Sequence, residues 1–136
     1  DDKEVSILSQ TGRGYYVLGV LGMGQEPTNH ALHDIAKMKE KLDKWGRPMV
    51  LLFTNQAEKD KFEAQKGEFG NLLKNTIFGI DKDGTVVKEI AKEMKLRNPN
   101  QLPIFIIADT FNRVVFLSQG YTIGLGEQLV KVSSKL

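Results

Sequence analysis

The chain has 136 residues and a mass of 15.3 kDa, which suits one domain burying roughly two-thirds of the unfolded chain's surface. With 40% apolar and 26% charged residues and a net charge of +2, the composition is globular and gives no broad electrostatic pull toward nucleic acid or anionic lipid. Cysteine is absent, which removes thiol nucleophiles, dithiol redox chemistry, cysteine zinc sites and disulfides together.

The chain opens Asp1-Asp2-Lys3-Glu4 without a signal-like apolar region, and the expectation is one domain over residues 1–136, excised from a longer protein. Residues 5–8 form a short apolar stretch, and residues 10–14 read as a turn. Residues 15–21 are β-rich and apolar on both faces, as in the middle of a sheet. A loop over residues 22–27 follows. Thr28 or Asn29 can cap the next helix, whose stripe is Leu32, Ile35, Met38, Leu42 and Trp45, with Gly46 as its stop. Its opposite face carries Lys37, Lys39, Lys41, Lys44 and Arg47 against Glu40 and Asp43, the pattern of a solvated helix face.

Residues 49–53 form a second buried strand. No apolar run is longer than theirs, far short of the roughly 20 residues of a membrane span. Strand, helix and strand of these lengths predict a parallel unit. Residues 57–65, with Phe62 and then Phe69, Leu72 and Leu73, read as a helix broken at Gly67 and Gly70. Residues 76–80 are a third strand running into a turn at 81–84. Val86, Val87, Ile90, Ala91 and Met94 then mark an amphipathic helix ending near Leu96. After a loop over 97–101, the strands 104–108 and 114–117 sit close enough for an antiparallel hairpin. Residues 125–136 close the chain as a helix with Leu129, Val130 and Val132 inward. The order predicts an α/β fold, a mixed sheet with helices on both faces.

A parallel half, then a proline-led hairpin and a terminal helix, resembles the plan of the thioredoxin-like superfamily. Leu102-Pro103-Ile104-Phe105-Ile106-Ile107-Ala108-Asp109 is similar to the stretch in which a cis-proline opens an apolar strand ending in Asp. Arg113-Val114-Val115-Phe116, Gly120-Tyr121 and Glu127-Gln128-Leu129 resemble its partner strand, the following glycine and the last helix. The extra helix and strand between Asn55 and Ile80 resemble the insertion of the TlpA and peroxiredoxin branches. The resemblance implies a degenerate member of that branch, because the loop after the first core strand should carry Cys-x-x-Cys. With Pro27 inside the motif, the sulfur positions fall on Glu26 and Asn29. Disulfide exchange needs a thiolate, so the chemistry is excluded here in any register.

What stands there instead is Glu26, Pro27, Thr28, Asn29 and His30 at a helix start, facing Leu102 and Pro103 if the resemblance holds. Helix-start amides favour anions, and a cis-proline loop is expected to leave backbone groups free for an extended peptide. These seven residues form the candidate binding cleft; the plainer alternative is a helix cap with Glu26 near the positive end of the dipole. His30 and His33 are spaced i, i+3, and Glu26 or Asp34 could join them, but no further His or Cys completes a metal site. Gly19-x-x-Gly22-x-Gly24 inverts the dinucleotide spacing, and Asp81-x-Asp83-Gly84 places its glycine too early for a calcium loop, so both read as ordinary structure. No metal or cofactor is expected. The reading is a non-catalytic binding or accessory module whose partner is a protein, a peptide or a neighbouring domain, with no nucleic acid and no membrane insertion. By resemblance to TlpA-like envelope proteins it would be exported or periplasmic, in a bacterial protein. The alternatives are a cysteine-independent enzyme, such as a glutathione-handling transferase using Thr28, and a purely structural domain.

Overall fold

Continuous apolar runs in a small α/β protein must be covered on both faces, and the strands that carry them take the middle of the sheet. In the computed structural model, β1 (Tyr16–Leu21) and β2 (Met49–Phe53) are buried at every position. The described residues are 14–22, 26–46, 48–65, 76–98, 101–109, 111, 113–120 and 124–136. With β3 (Thr76–Ile80), β4 (Ile104–Ala108) and β5 (Val114–Gln119) they build a five-stranded sheet in the order β3-β2-β1-β4-β5. β1 and β2, and β2 and β3, are parallel, whereas β4 runs antiparallel to both β1 and β5.

Alternation along the strands then sorts the core into two layers. On one face Val17, Leu21, Met49, Leu51, Phe53, Phe105 and Ile107 meet α1 (Glu26–Lys37), α2 (Lys39–Trp45), α3 (Gln56–Gln65) and α5 (Leu125–Ser133) through Leu32, Ile35, Leu42, Phe62, Leu125 and Leu129. On the other, Leu18, Val20, Val50, Leu52, Ile104 and Ile106 are covered by Ile90 of α4 (Thr85–Met94), with Val86, Val87 and Met94 beside it. The mixed sheet with helices on both faces is the architecture expected from the element order.

Several boundaries differ from that expectation. The amphipathic helix after β1 is two helices. Met38 leaves helical geometry with φ −104° and ψ 14°, and its N–H bonds back to the Ile35 carbonyl at 3.0 Å. The apolar stripe survives the break, because Leu32, Ile35 and Leu42 stay buried while Met38 and Trp45 pack at the margin. Gly46 ends α2 in the left-handed region at φ 76°, as a C-terminal stop requires. β5 runs two residues past Leu117, to Gln119. The expected strand at 5–8, most of the turn at 10–14, and Gly67, Phe69, Gly70, Leu72 and Leu73 lie outside the described residues.

Two aspartates hold the connections. Asp81, 3% exposed, accepts the N–H groups of Val86 and Val87 at 2.8 and 3.0 Å. It thus caps α4 from across the short 3-10 turn Lys82–Gly84. The plain turn expected at 81–84 is therefore also the anchor of a helix. At the β4–β5 hairpin, Asp109 accepts N–H bonds from Phe111 at 2.9 Å and Arg113 at 3.0 Å, and the Arg113 guanidinium Nε at 2.7 Å. Burial alone would raise its pKa; the two backbone donors and the Arg113 side chain and charge outweigh that and hold it below the ordinary carboxylate range. A folded-state pKa below the unfolded value stabilises fully above about pH 4, and that contribution is lost as pH falls through the lowered folded value. Asp109→Asn is therefore expected to be less stable than wild type at pH 7. The gap should narrow by pH 3, as read from urea midpoints at the two pH values.

Candidate functional site

The candidate residues divide between the start of α1 and the entry to β4, and the sheet register decides whether they meet. Val20 pairs with Ile104 at the end of the antiparallel β1–β4 ladder, so the carboxyl end of β1 and the entry to β4 lie at the same end of the sheet. Gly22 then donates its N–H to the Thr28 hydroxyl at 3.1 Å. Thr28 is fully buried and Leu102 is 5% exposed, and Pro103 is also buried. Thr28 is thus tied to the carboxyl end of β1, and the entry to β4 lies at the same end of the sheet, with Leu102 packed in the layer that α4 covers. The Leu102–Pro103 peptide bond is cis.

The capping expectation is overturned. The helix begins at Glu26, so Thr28 and Asn29 lie inside its first turns. Thr28 turns its oxygen back to the end of β1, away from the helix's own amides. The physical reason is Pro27: its fixed φ and missing N–H suit the first helical turn, so the helix starts ahead of the residues that look like caps. A buried hydroxyl already accepting Gly22's N–H is also not the solvent-facing activator that a glutathione-handling enzyme would place there.

The expectation of free backbone at Pro103 is corrected as well. Its carbonyl accepts the Gly120 N–H at 2.8 Å, and Leu102 is engaged too. Proline has no N–H to offer. The Pro103 carbonyl at the entry to β4 is thus taken up by its own hairpin.

Pro27, Asn29 and His30 are half-buried and offer such side chains. His30 Nε2 lies 3.5 Å from Asp34 Oδ2 one turn on, and the same Asp34 oxygen accepts the Leu125 N–H at 3.3 Å. That flank of α1 faces α5. Asn29 lies elsewhere on the helix, about 140° from Asp34 at 100° per residue. Its Oδ1 is buried and has no hydrogen-bond partner among the described residues. No sequence signal marks this orphaned acceptor, since an asparagine two residues after a proline looks like a cap. Glu26 opens the helix.

Among the described residues, no group of three or more His, Cys, Asp or Glu is placed to hold a metal ion, and no helix is long and apolar enough to cross a membrane. Gly19 is a strand residue opposite Phe105. The lysine-bearing face of α1 and α2 borders a shallow surface groove lined by Ala36, Lys37, Lys39, Glu40, Asp43 and Lys44, in which Lys39 is paired with Asp43.

No protein-family model matches the sequence, and no curated protein matches it either. Solved structures do match. A DsbF homologue from Corynebacterium diphtheriae superposes with a TM-score of 0.64 at 16% identity, over 95% of this chain and 76% of that one. The thioredoxin domain of a thiol-disulfide oxidoreductase from Bacteroides vulgatus gives 0.63 at 17%, over 95% and 85%. A SCO1/SenC family lipoprotein from Bacillus anthracis gives 0.64 at 13%, over 94% and 83%. Similarity at this level carries the fold and nothing finer. The chain has the thioredoxin-like α/β fold shared by these proteins, on a sequence without a single cysteine.

Proposed function

We propose that this chain is a redox-inactive thioredoxin-like binding module that recognises a protein or peptide through the start of α1, at Glu26, Pro27, Thr28, Asn29 and His30, together with the entry to β4 at Leu102 and Pro103. The observation that carries the reading is the Asn29 Oδ1, a buried acceptor without a donor among the described residues. Leaving such an atom unpaired costs about 1–3 kcal/mol, which a donor from a bound partner would relieve. An N–H from an extended peptide is the simplest donor. Without a cysteine thiol this end of the fold cannot carry out disulfide exchange. An exported setting is supported by a lipoprotein among the matching structures.

The test is a selection of peptides from a random dodecapeptide library on the intact chain. Selected peptides are expected to lose about tenfold in affinity, near 1.4 kcal/mol, for the Glu26→Ala, Asn29→Ala double variant. Equal affinity for both proteins would place recognition elsewhere, and a purely structural domain predicts no binders at all.

A further inference from the structure

The loop ahead of Pro103 is held by one side chain from the far end of the hairpin. Gln119, the last residue of β5, donates its amide to two backbone carbonyls, Asn98 O at 2.6 Å and Gln101 O at 3.2 Å. Next to it, the Gly120 N–H takes the Pro103 carbonyl at 2.8 Å. A side chain at Gly120 would meet the side-chain amide of Gln101, whose Nε2 lies within 2.5 Å of that position. Gln101 itself closes a turn by donating its N–H to Asn98 O at 3.2 Å. A primary amide has two N–H donors, and here each is spent on a different carbonyl of the same loop. The strand residue Gln119 would pair only with Ile104 if the ladder were all it served.

We propose that Gln119 is a positioning residue for the partner site: by tying Asn98 and Gln101 to β5 it fixes where Leu102 and Pro103 stand at the entry to β4. The inference rests on the binding reading above and assigns the position of that entry to one amide group. Losing both bonds frees Asn98 and Gln101 from β5, while the buried core of β4 stays paired.

The experiment compares wild type, Gln119→Glu and Gln119→Lys as intact chains, reading amide hydrogen exchange, thermal midpoint and affinity for a peptide selected as above. Gln119→Glu keeps the shape but sets carboxylate oxygens against two carbonyls, whereas Gln119→Lys restores an N–H donor. For Gln119→Glu, exchange at the Gln101 N–H should rise about tenfold and peptide affinity should fall by a similar factor, with the midpoint unchanged. Gln119→Lys should recover both. Unchanged exchange in the Glu variant would overturn the clamp. Faster exchange with unchanged affinity would overturn its role at the site, and so would equal losses in the Glu and Lys variants. A wild-type chain that selects no peptide at all would sink the binding reading itself, visibly before any variant is compared, and the positioning role with it.

Discussion

Replacing Gly126 by alanine is expected to destabilise the protein by about 2–4 kcal/mol, a fall of about 10 °C in thermal midpoint for a domain of this size. Gly126 sits in the first turn of α5 and is buried. A Cβ built there would lie 2.3 Å from the Asp34 carbonyl oxygen and 2.9 Å from both its carbon and the Met38 Cγ. Two of these three atoms are backbone of α1, which has no rotamer to change, so α5 would have to move away from α1. That movement breaks the Leu125 N–H bond to Asp34 at 3.3 Å and loosens Leu125 and Leu129, which are 1% and 0% exposed. Lys131→Ala on the exposed side of the same helix is the control and should stay within about 0.5 kcal/mol of wild type. A Gly126→Ala midpoint within 2 °C or so of wild type would show that the α1–α5 contact does not hold the layer.

The second large effect is at the centre of the sheet. Phe105 is fully buried and stands opposite Gly19 across the β1–β4 ladder, its ring lying in the space a Gly19 side chain would need. A Cβ on Gly19 would come within 2.5 Å of the Phe105 ring. Phe105→Ala should cost about 3–5 kcal/mol through lost burial and the cavity left behind, and Gly19→Ala about 1–3 kcal/mol through overpacking. The two are one interaction seen from either side. Gly19→Ala should therefore cost markedly less when Phe105 is already leucine, a coupling of order 1 kcal/mol in a double-mutant cycle on urea midpoints. Additive costs would mean that the ring and the glycine do not share that space.

These two contacts show what the amino-acid sequence does and does not reveal. The central strands were legible because burial on both faces demands uninterrupted apolar residues, and residues 49–53 and most of 15–21 meet that demand. Helical periodicity likewise identified the face of α1 and α2 that enters the core. It did not reveal the break at Met38, because neither glycine nor proline marks it and the apolar stripe continues across it. Gly19 could be placed in a strand but not explained, since its reason is a ring 86 residues away in sequence. Gly126 is the same case, its neighbour being a carbonyl on another helix.

At the site the limits were chemical. The lack of cysteine excluded thiol exchange from composition alone. The start of α1 was misplaced because Thr28 and Asn29 have the chemistry of caps, while Pro27 fits the first turn and moves the start ahead of them. The roles of Asp81 and Asp109 depend on folded loops that return to the same carboxylate, through Val86 and Val87 in one case and Phe111 and Arg113 in the other. The free backbone expected at Pro103 failed for a related reason: the hairpin brings Gly120 back to its carbonyl, 17 residues later. The orphaned Asn29 acceptor has no counterpart in local pattern at all, because it is defined by what does not approach it.

Titrating the isotope-labelled chain with a selected dodecapeptide, and following every backbone amide by NMR, locates recognition residue by residue. Shifts concentrated on Thr28, Asn29, His30 and Leu102, with the Asn29 side-chain amide among them, are the predicted result. Shifts centred instead on the lysine-bearing face of α1 and α2, or on β5, would contradict it.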